Sequence, residues 1–210
     1  MEPNGYLKMH ETHVGLTRVA YYCGGDGPAI VLLHGLSGSS RWWTRNVSAL
    51  IKHFRVYVVD LIGFGSSRGQ RFALAEAPQT ILRWMDTLDE ESFTLIGHSM
   101  GGYIAASAAL QKPEQVKKLI LVDAVALPFG RTVLRSAWSL LESLVYMPID
   151  FYPVLAADAF RAGPVTLLHA IRDIHQETRE LEMAQIKAQT LIVWGENDRL
   201  VPLRFGSAIY

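Results

Sequence analysis

The chain has 210 residues, of which 50% are hydrophobic and 19% charged, with 20 basic side chains, 20 acidic side chains and a single cysteine. A chain of this length fits one domain and buries enough surface to form a core, which excludes disorder as its main state. The balanced charge excludes the basic surface that nucleic-acid binding needs, and the lone Cys23 excludes an internal disulfide.

Short apolar runs alternate with helical segments along the chain. Leu16–Tyr22 is comparatively polar and predicts an antiparallel strand near a sheet edge. The later runs are continuously hydrophobic, as strands covered by helices on both faces must be. These predicted strands are Ala29–Leu33, Arg55–Val59, Phe93–Ile96, Leu119–Val122 and Leu191–Trp194. The helices predicted between them are Arg41–His53, Glu76–Leu88 and Gly101–Gln111. The pattern predicts an α/β fold with a doubly wound, mostly parallel sheet.

One long segment interrupts this alternation. Residues 124–187 combine four prolines with aromatic side chains and amphipathic pieces such as Val133–Leu144. We interpret this segment as a helical cap inserted between a first core part, residues 1–123, and a second, incomplete core part, residues 188–210.

The sharpest chemical signal is the sequence Gly-His-Ser-Met-Gly-Gly at residues 97–102, between a predicted strand and a predicted helix. A serine with a glycine two residues away on each side fits a nucleophile elbow, the tight turn that exposes a catalytic hydroxyl above a sheet. Ser99 is therefore the candidate nucleophile. The alternative is a glycine-rich turn that only allows the helix to pack closely.

A second signal, His-Gly-Leu-Ser-Gly at residues 34–38, follows a buried strand. Acyl transfer requires N–H donors aimed at the oxygen that gains negative charge, which makes the backbone N–H groups of Leu36 and Met100 the candidate oxyanion hole. We expect His34 to support this loop and His98 to pack under the elbow, because neither lies late in the chain, where the base of such sites occurs.

The candidate acid is Asp198, in the sequence Gly-Glu-Asn-Asp-Arg-Leu-Val-Pro after the last predicted strand. At the carboxyl end of a parallel sheet it would orient a histidine, whereas the alternative role is that of a helix cap. Asp123 also ends a strand and is a substitute acid. Asp60, ahead of Gly63 and Gly65, is interpreted as a turn former.

Together these motifs, with the sequence at residues 60–67, resemble the α/β-hydrolase fold family and its serine hydrolase type. The resemblance covers nearly the whole chain. It implies a Ser-His-Asp triad, an eight-stranded sheet and often a helical cap after the sixth strand. A serine at position 99 resembles the esterases, lipases, carbon–carbon bond hydrolases and related enzymes of this fold, whereas dehalogenases and epoxide hydrolases have an aspartate there.

The histidine that the resemblance places after the acid is absent from the sequence that follows Asp198. Three explanations stay open: a fragment of a longer enzyme, a chain that has lost its terminal segment, or a substitute histidine in the cap, either His169 or His175. A chain truncated in this way would lack the last strand and helix. We then expect an exposed apolar edge strand, Leu191–Trp194, that promotes self-association.

The sequence therefore predicts a serine hydrolase that cleaves an ester or related acyl bond of a small, largely apolar substrate through an acyl-enzyme. One alternative is a ligand-binding protein of the same fold without catalysis, and the same motifs also allow a perhydrolase-type or thioesterase variant. We expect no cofactor, no metal, no membrane span and a cytoplasmic location. The aromatic residues that are candidates for lining a substrate pocket, or for packing the cap, are Trp138, Tyr146, Phe151, Tyr152 and Phe160, with Trp42 and Trp43 near residues 34–38.

Overall fold

The computed structural model describes residues 6–125, 142, 145–177 and 181–209. Its strands are β1 Lys8–Val14, β2 Thr17–Gly24, β3 Ala29–Leu33, β4 Arg55–Asp60, β5 Phe93–His98, β6 Val116–Val122 and β7 Gln189–Val193. Its α-helices are α1 Thr44–Leu50, α2 Ala77–Met85, α3 Met100–Gln111, α4 Tyr152–Glu177 and α5 Leu203–Ile209. Short 3-10 helices cover Ser40–Trp43, Gly65–Ser67, Ile149–Phe151 and Met183–Gln185.

The strands form one sheet in the order β1-β2-β4-β3-β5-β6-β7. β1 and β2 pair in antiparallel fashion, as do β2 and β4, whereas every other pair is parallel. The predicted α/β class and the mostly parallel sheet are therefore confirmed. The resemblance implies eight strands, and the described residues supply seven.

The core lies on both faces of the central strands. All five residues of β3 are buried, which explains why its sequence is continuously apolar instead of alternating. Helix α3 follows β5 and packs against β5 and β6. Small alanines and glycines make up much of its buried surface and allow a close approach to the sheet. This packing fixes the position of the residue that joins β5 to α3.

Two predictions about the first part of the chain need correction. β1 was not predicted, because its sequence is polar and most of its side chains are exposed. Its partner β2 lies where an antiparallel strand near an edge was expected, but β1 forms the edge itself. The helix predicted over Arg41–His53 is a 3-10 turn, Ser40–Trp43, followed by the shorter α1.

Helix α4 is the main described element of the predicted cap. Gly163, at φ 77° and ψ 157°, breaks it into two pieces just before Pro164. Several large apolar side chains here face solvent, including Ile149 and Phe160, which are 86% and 88% exposed. Val133–Leu144 lies outside the described residues apart from Glu142, and the division into core and cap stays a prediction.

Within the described residues, one helical stretch, Ile149–Gln176, is long and apolar enough to cross a membrane when only its length and composition are considered. The kink at Gly163 and the buried carboxyl of Asp158 both lie inside this stretch. The expected absence of a membrane span stays a prediction, as does the cytoplasmic location.

Candidate active site

Ser99 joins the end of β5 to the start of α3 in a strained backbone conformation. Its φ of 53° and ψ of −118° are rare for a residue with a side chain. Its backbone N–H donates to the carbonyl oxygen of Val122, and its own carbonyl accepts from Gly102 and Val125. The hydroxyl makes no hydrogen bond to any described residue and does not cap α3. The turn therefore presents a free hydroxyl at the N-terminus of a helix.

The glycines flanking Ser99 are required by close backbone contacts. A Cβ on Gly97 would lie 2.6 Å from the carbonyl carbon of Gly101 and from the Cα of Gly102. A Cβ on Gly101 would lie 2.6 Å from the carbonyl oxygen of His34. Since real Cβ atoms do not approach backbone atoms this closely, a larger residue would move the main chain. The Gly-x-Ser-x-Gly spacing thus has a steric cause here.

The loop after β3 lies directly against the elbow. A Cβ on Gly35 would be 3.2 Å from the Cβ of Ser99 and 2.9 Å from Nδ1 of His98. The loop is closed by a hydrogen bond from the Gly38 N–H to the Gly35 carbonyl oxygen, 3.1 Å long, and Ser37 adopts φ 62°. Among the residues that the structure describes, none accepts a hydrogen bond from the N–H of Leu36 or Met100. Two free donors thus lie on the segments that meet at Ser99.

His34 holds this loop to the sheet. Its Nε2 accepts a hydrogen bond from the Leu61 N–H at 3.0 Å, so the proton of the neutral ring is on Nδ1, which donates to the Gly35 carbonyl oxygen at 2.8 Å. Burial lowers the pKa of His34, which favours this neutral form, although the nearby Asp60 carboxylate acts in the opposite direction. These contacts assign His34 the supporting role that was expected from its position in the sequence.

His98 lies beside the nucleophile, between the ring of Trp42 and the backbone of Gly35. Its ring packs on Trp42, with the centroids 5.7 Å apart, and its Nδ1 is buried without a hydrogen-bond partner in the described part of the chain. Burial lowers the pKa of His98 to about 4, against a smaller opposing effect of Asp198. His98 is therefore neutral near pH 7.

Two carboxyl groups, those of Asp123 and Asp198, follow the carboxyl ends of β6 and β7. Asp123 follows β6 and accepts a hydrogen bond from the Gly195 N–H at 2.7 Å. Asp198 follows β7, and its Oδ1 accepts from the N–H groups of Leu200 and Val201 at 2.7 and 2.9 Å. Burial raises the pKa of each, and the charge of Asp123 contributes to the rise at Asp198. Asp198 thus stabilises its own loop through one oxygen, while Oδ2 has no partner among the described residues.

Asp60 does more than form a turn, which corrects the sequence interpretation. It is 1% exposed, and its two carboxyl oxygens accept hydrogen bonds from the N–H groups of Ser40 at 2.5 Å and Ser66 at 2.7 Å. It therefore ties the loop after β3 to the loop after β4. The Asp60 carboxyl group lies against Gly65, where it leaves no room for a side chain.

The aromatic candidates in the cap divide into different environments. Phe151 packs edge-on against Trp42, with ring centroids 5.4 Å apart, which places it next to the elbow. Tyr146 and Phe160 are 58% and 88% exposed, so neither packs in the core nor lines an enclosed pocket. Trp138 lies outside the described residues.

The described contacts identify no base for the predicted triad. In the described ranges, no histidine hydrogen-bonds to Ser99 or Asp198. His169, one of the two substitute candidates, is exposed on α4, and His175 is partly buried near the end of the same helix. The same part of the chain contains no group of three His, Cys, Asp or Glu side chains that could hold a metal ion.

Comparison with known proteins identifies the fold. A family model described as alpha/beta hydrolase fold matches residues 28–161, which is more than half of the chain. The chain belongs to the α/β-hydrolase fold family. The match includes the loop after β3, the elbow at Ser99 and the part of α4 before Gly163. It ends before Asp198.

Similar proteins carry the names of several different enzymes. An N-acylphosphatidylethanolamine and lyso-N-acylphosphatidylethanolamine lipase of Mus musculus is 34% identical over 149 residues, which are 68% of this chain and 41% of that enzyme. A 1-acylglycerol-3-phosphate O-acyltransferase of Arabidopsis thaliana is 38% identical over 102 residues, which are 45% of this chain and 24% of that enzyme. The chain thus matches less than half the length of both relatives. A crystal structure of a membrane phospholipase A superposes with a TM-score of 0.80 at 25% identity, covering 97% of this chain and 75% of that one.

One buried group of this α/β-hydrolase was missed by sequence reasoning. Asp158, on α4, is 3% exposed and pairs with Arg41 in the loop after β3. An aspartate in an amphipathic helical segment is expected to face solvent, so the sequence carried no signal for its burial.

Proposed function

We propose that this α/β-hydrolase is a serine hydrolase that cleaves an ester or related acyl bond through an acyl-enzyme. The family and its solved relatives support hydrolase activity in general. The observation that carries the finer proposal is the geometry of Ser99. The turn is strained, and within the described part of the chain neither its hydroxyl nor the N–H groups of Leu36 and Met100 have a hydrogen-bond partner.

In the proposed reaction, the oxygen of Ser99 attacks the substrate carbonyl carbon while a base takes the hydroxyl proton. The carbonyl oxygen gains negative charge, which the N–H groups of Leu36 and Met100 stabilise. The intermediate then collapses, the leaving alcohol takes the proton from the base, and the acyl group stays on Ser99. Water, deprotonated by the same base, attacks this ester. The bond to Ser99 then breaks, the base returns the proton to the Ser99 oxygen, and the acid is released.

Asp198 is the proposed acid that orients the base. One of its oxygens is held by two backbone N–H groups, which fixes the carboxyl and leaves the other oxygen for an imidazole N–H. The resemblance implies a histidine as the base. Asp123 contacts the same loop through Gly195 and is the second acid within that region.

The proposed substrate class is an acylated, largely apolar molecule such as a lipid. Two relatives are named for acylated glycerolipids, the mouse lipase and the plant acyltransferase. Phe151 and Trp42 add an aromatic surface beside the elbow, which suits an apolar acyl chain better than a charged group.

A fluorophosphonate probe tests the nucleophile directly, because it reacts covalently with an activated serine. We expect the full-length protein to be labelled at Ser99 and its Ser99→Ala variant to lose all labelling and all hydrolysis of p-nitrophenyl butyrate. Ser107→Ala is the matched control, since Ser107 lies on the same helix and its hydroxyl accepts a hydrogen bond from Gln111.

The proposal is wrong if wild type and Ser99→Ala are labelled equally, or if the folded full-length protein is neither labelled nor active. In the second case, saturable binding of a fatty acid would support the alternative, a ligand-binding protein of this fold without catalysis.

A further inference from the structure

A buried ion pair connects helix α4 to the loop that carries one oxyanion donor. The side chain of Asp158 is 1% exposed and that of Arg41 is 14% exposed, and the two form an ion pair. Asp158 also accepts a hydrogen bond from the Ser39 hydroxyl at 2.7 Å. Ser39 in turn accepts from the Arg41 N–H at 3.3 Å and so caps the 3-10 turn Ser40–Trp43. Three side chains therefore form one closed network across two parts of the fold.

This network lies next to the donor in the chain. Ser39 is three residues from Leu36, and the intervening Gly38 closes the loop by its hydrogen bond to Gly35. On the other side of Ser39, the N–H of Ser40 donates to Asp60. The loop is thus held from the sheet by Asp60 and from α4 by Asp158. Displacing Ser39 would displace the N–H of Leu36 with it.

Aromatic packing is a second contact between this loop and the start of α4. Trp42 packs on Phe151, immediately before α4, and on His98, immediately before Ser99. The start of α4 therefore contacts the loop by charge and by packing, and the loop contacts the nucleophile turn. Movement of α4 relative to the sheet would act on the loop at both points.

The burial of Asp158 is costly and needs a specific reason. Removing a carboxylate from water is unfavourable unless it is paired and hydrogen-bonded, and an apolar pair of similar volume often stabilises a protein as well or better. Meanwhile Phe160, two residues further along α4, is exposed. If hydrophobic burial alone decided the orientation of this helix, Phe160 would be buried and Asp158 exposed. Directional contacts to the loop distinguish the ion pair from an apolar substitute.

We propose that Asp158 is a positioning residue for catalysis: through Ser39 and Arg41 it fixes the loop that presents the Leu36 N–H to the reacting carbonyl. This inference rests on the proposed serine hydrolase function. It assigns α4 a role in transition-state stabilisation.

The main variant is Asp158→Asn, which keeps the shape of the side chain and removes its charge. Asp150→Asn is the matched control, because Asp150 also joins this region to the α1 segment, through Arg45, but that ion pair is exposed, with side chains 65% and 63% accessible. For wild type and both variants, kcat and KM on p-nitrophenyl butyrate are measured together with hydrogen exchange of residues 35–44.

We expect Asp158→Asn to lower kcat by about 10- to 100-fold, since removal of an entire oxyanion donor costs about 100- to 1,000-fold and a displaced donor costs less. KM should change less than about threefold, because the donor acts mainly in the transition state. Exchange of residues 35–44 should accelerate. Asp150→Asn should leave kcat, KM and exchange at wild-type values.

A purely structural role predicts a different outcome. Asp158→Asn leaves Arg41 buried without its partner and can unfold the chain, so the double variant Arg41→Met with Asp158→Leu is tested beside it. This apolar pair is expected to keep the unfolding midpoint. If the double variant is folded, has wild-type kcat and shows wild-type exchange over residues 35–44, the proposal is overturned. If the wild-type chain itself is inactive, the proposed function fails, and exchange over residues 35–44 alone still decides whether Asp158 holds the loop.

Discussion

The lowered pKa of His98 makes the stability of the fold depend on pH. Burial of the ring disfavours its charged form, and its pKa falls from 6.5 in the unfolded chain to about 4 in the folded state. Between these two values, the unfolded chain binds a proton that the folded chain does not. The stability that His98 contributes is therefore fully present above about pH 6.5 and is lost as the pH falls towards 4.

The size of this loss follows from the two pKa values. At about pH 5, the unfolded imidazole is almost fully protonated and the folded one is mostly neutral, which gives a loss of about 2 kcal/mol in the free energy of unfolding. At about pH 7.5 the same calculation gives about 0.1 kcal/mol or less. An effect of about 2 kcal/mol is a large part of the stability of a typical domain.

Urea unfolding of wild type and His98→Gln at several pH values measures this contribution. Glutamine does not titrate, so the difference between the two free energies of unfolding isolates His98. His34 has a lowered pKa, and Asp123 and Asp198 have raised ones, so these groups also make stability depend on pH. Both proteins contain them, so their contributions to the free energy of unfolding cancel in the difference. His13→Gln, at an exposed position on β1, serves as the control. A difference between wild type and His98→Gln that stays constant from about pH 7.5 to 5 would refute the reasoning.

Three further substitutions test other parts of the structure. Gly97→Ala should abolish labelling of the nucleophile and cost at least about 1–3 kcal/mol, because its Cβ meets the backbone of Gly101; chemical denaturation and probe labelling report both effects. Trp84→Ala should cost about 3–5 kcal/mol in the same denaturation assay, since Trp84 is fully buried. We also propose that the edge strand β7, whose Leu191 and Val193 are 55% and 44% exposed, promotes self-association. Leu191→Lys should then shift sizing chromatography towards monomer, and a wild type that is already monomeric at high concentration contradicts this.

Buried parallel strands were the part of the fold that the sequence revealed best. β3 was predicted with its observed bounds, because a strand covered on both faces must be apolar at every position. β1 was missed for the converse reason. It pairs only with β2 and presents polar, exposed side chains, so neither alternation nor continuous hydrophobicity marks it. Its existence depends on backbone pairing with a strand that follows a turn at Gly15.

The local elements of the site were likewise visible in the sequence, whereas its long-range contacts were not. Gly97 and Ser99 lie in one short motif whose spacing reflects backbone sterics. By contrast, Asp60 contacts a residue 20 positions earlier in the chain, and Asp158 contacts one 117 positions earlier. Each is a single aspartate whose local sequence fits a turn or an exposed helical face. Only the folded chain shows that both point at the loop after β3.

These two carboxyl groups explain why the loop after β3 holds one conformation despite its glycines. Gly35 and Gly38 give it little conformational preference of its own, and Ser37 has a positive φ that a free chain would avoid. Short contacts from the sheet, through Asp60 and His34, fix its base. The ion pair with Asp158 fixes its outer part. The sheet contacts lie within the core, whereas Asp158 contacts the loop from α4, through Arg41 and the Ser39 hydroxyl. Weakening the ion pair should therefore loosen the loop while the core contacts remain. In our proposal, the direction of the Leu36 N–H, which has no acceptor among the residues described, depends on this outer contact.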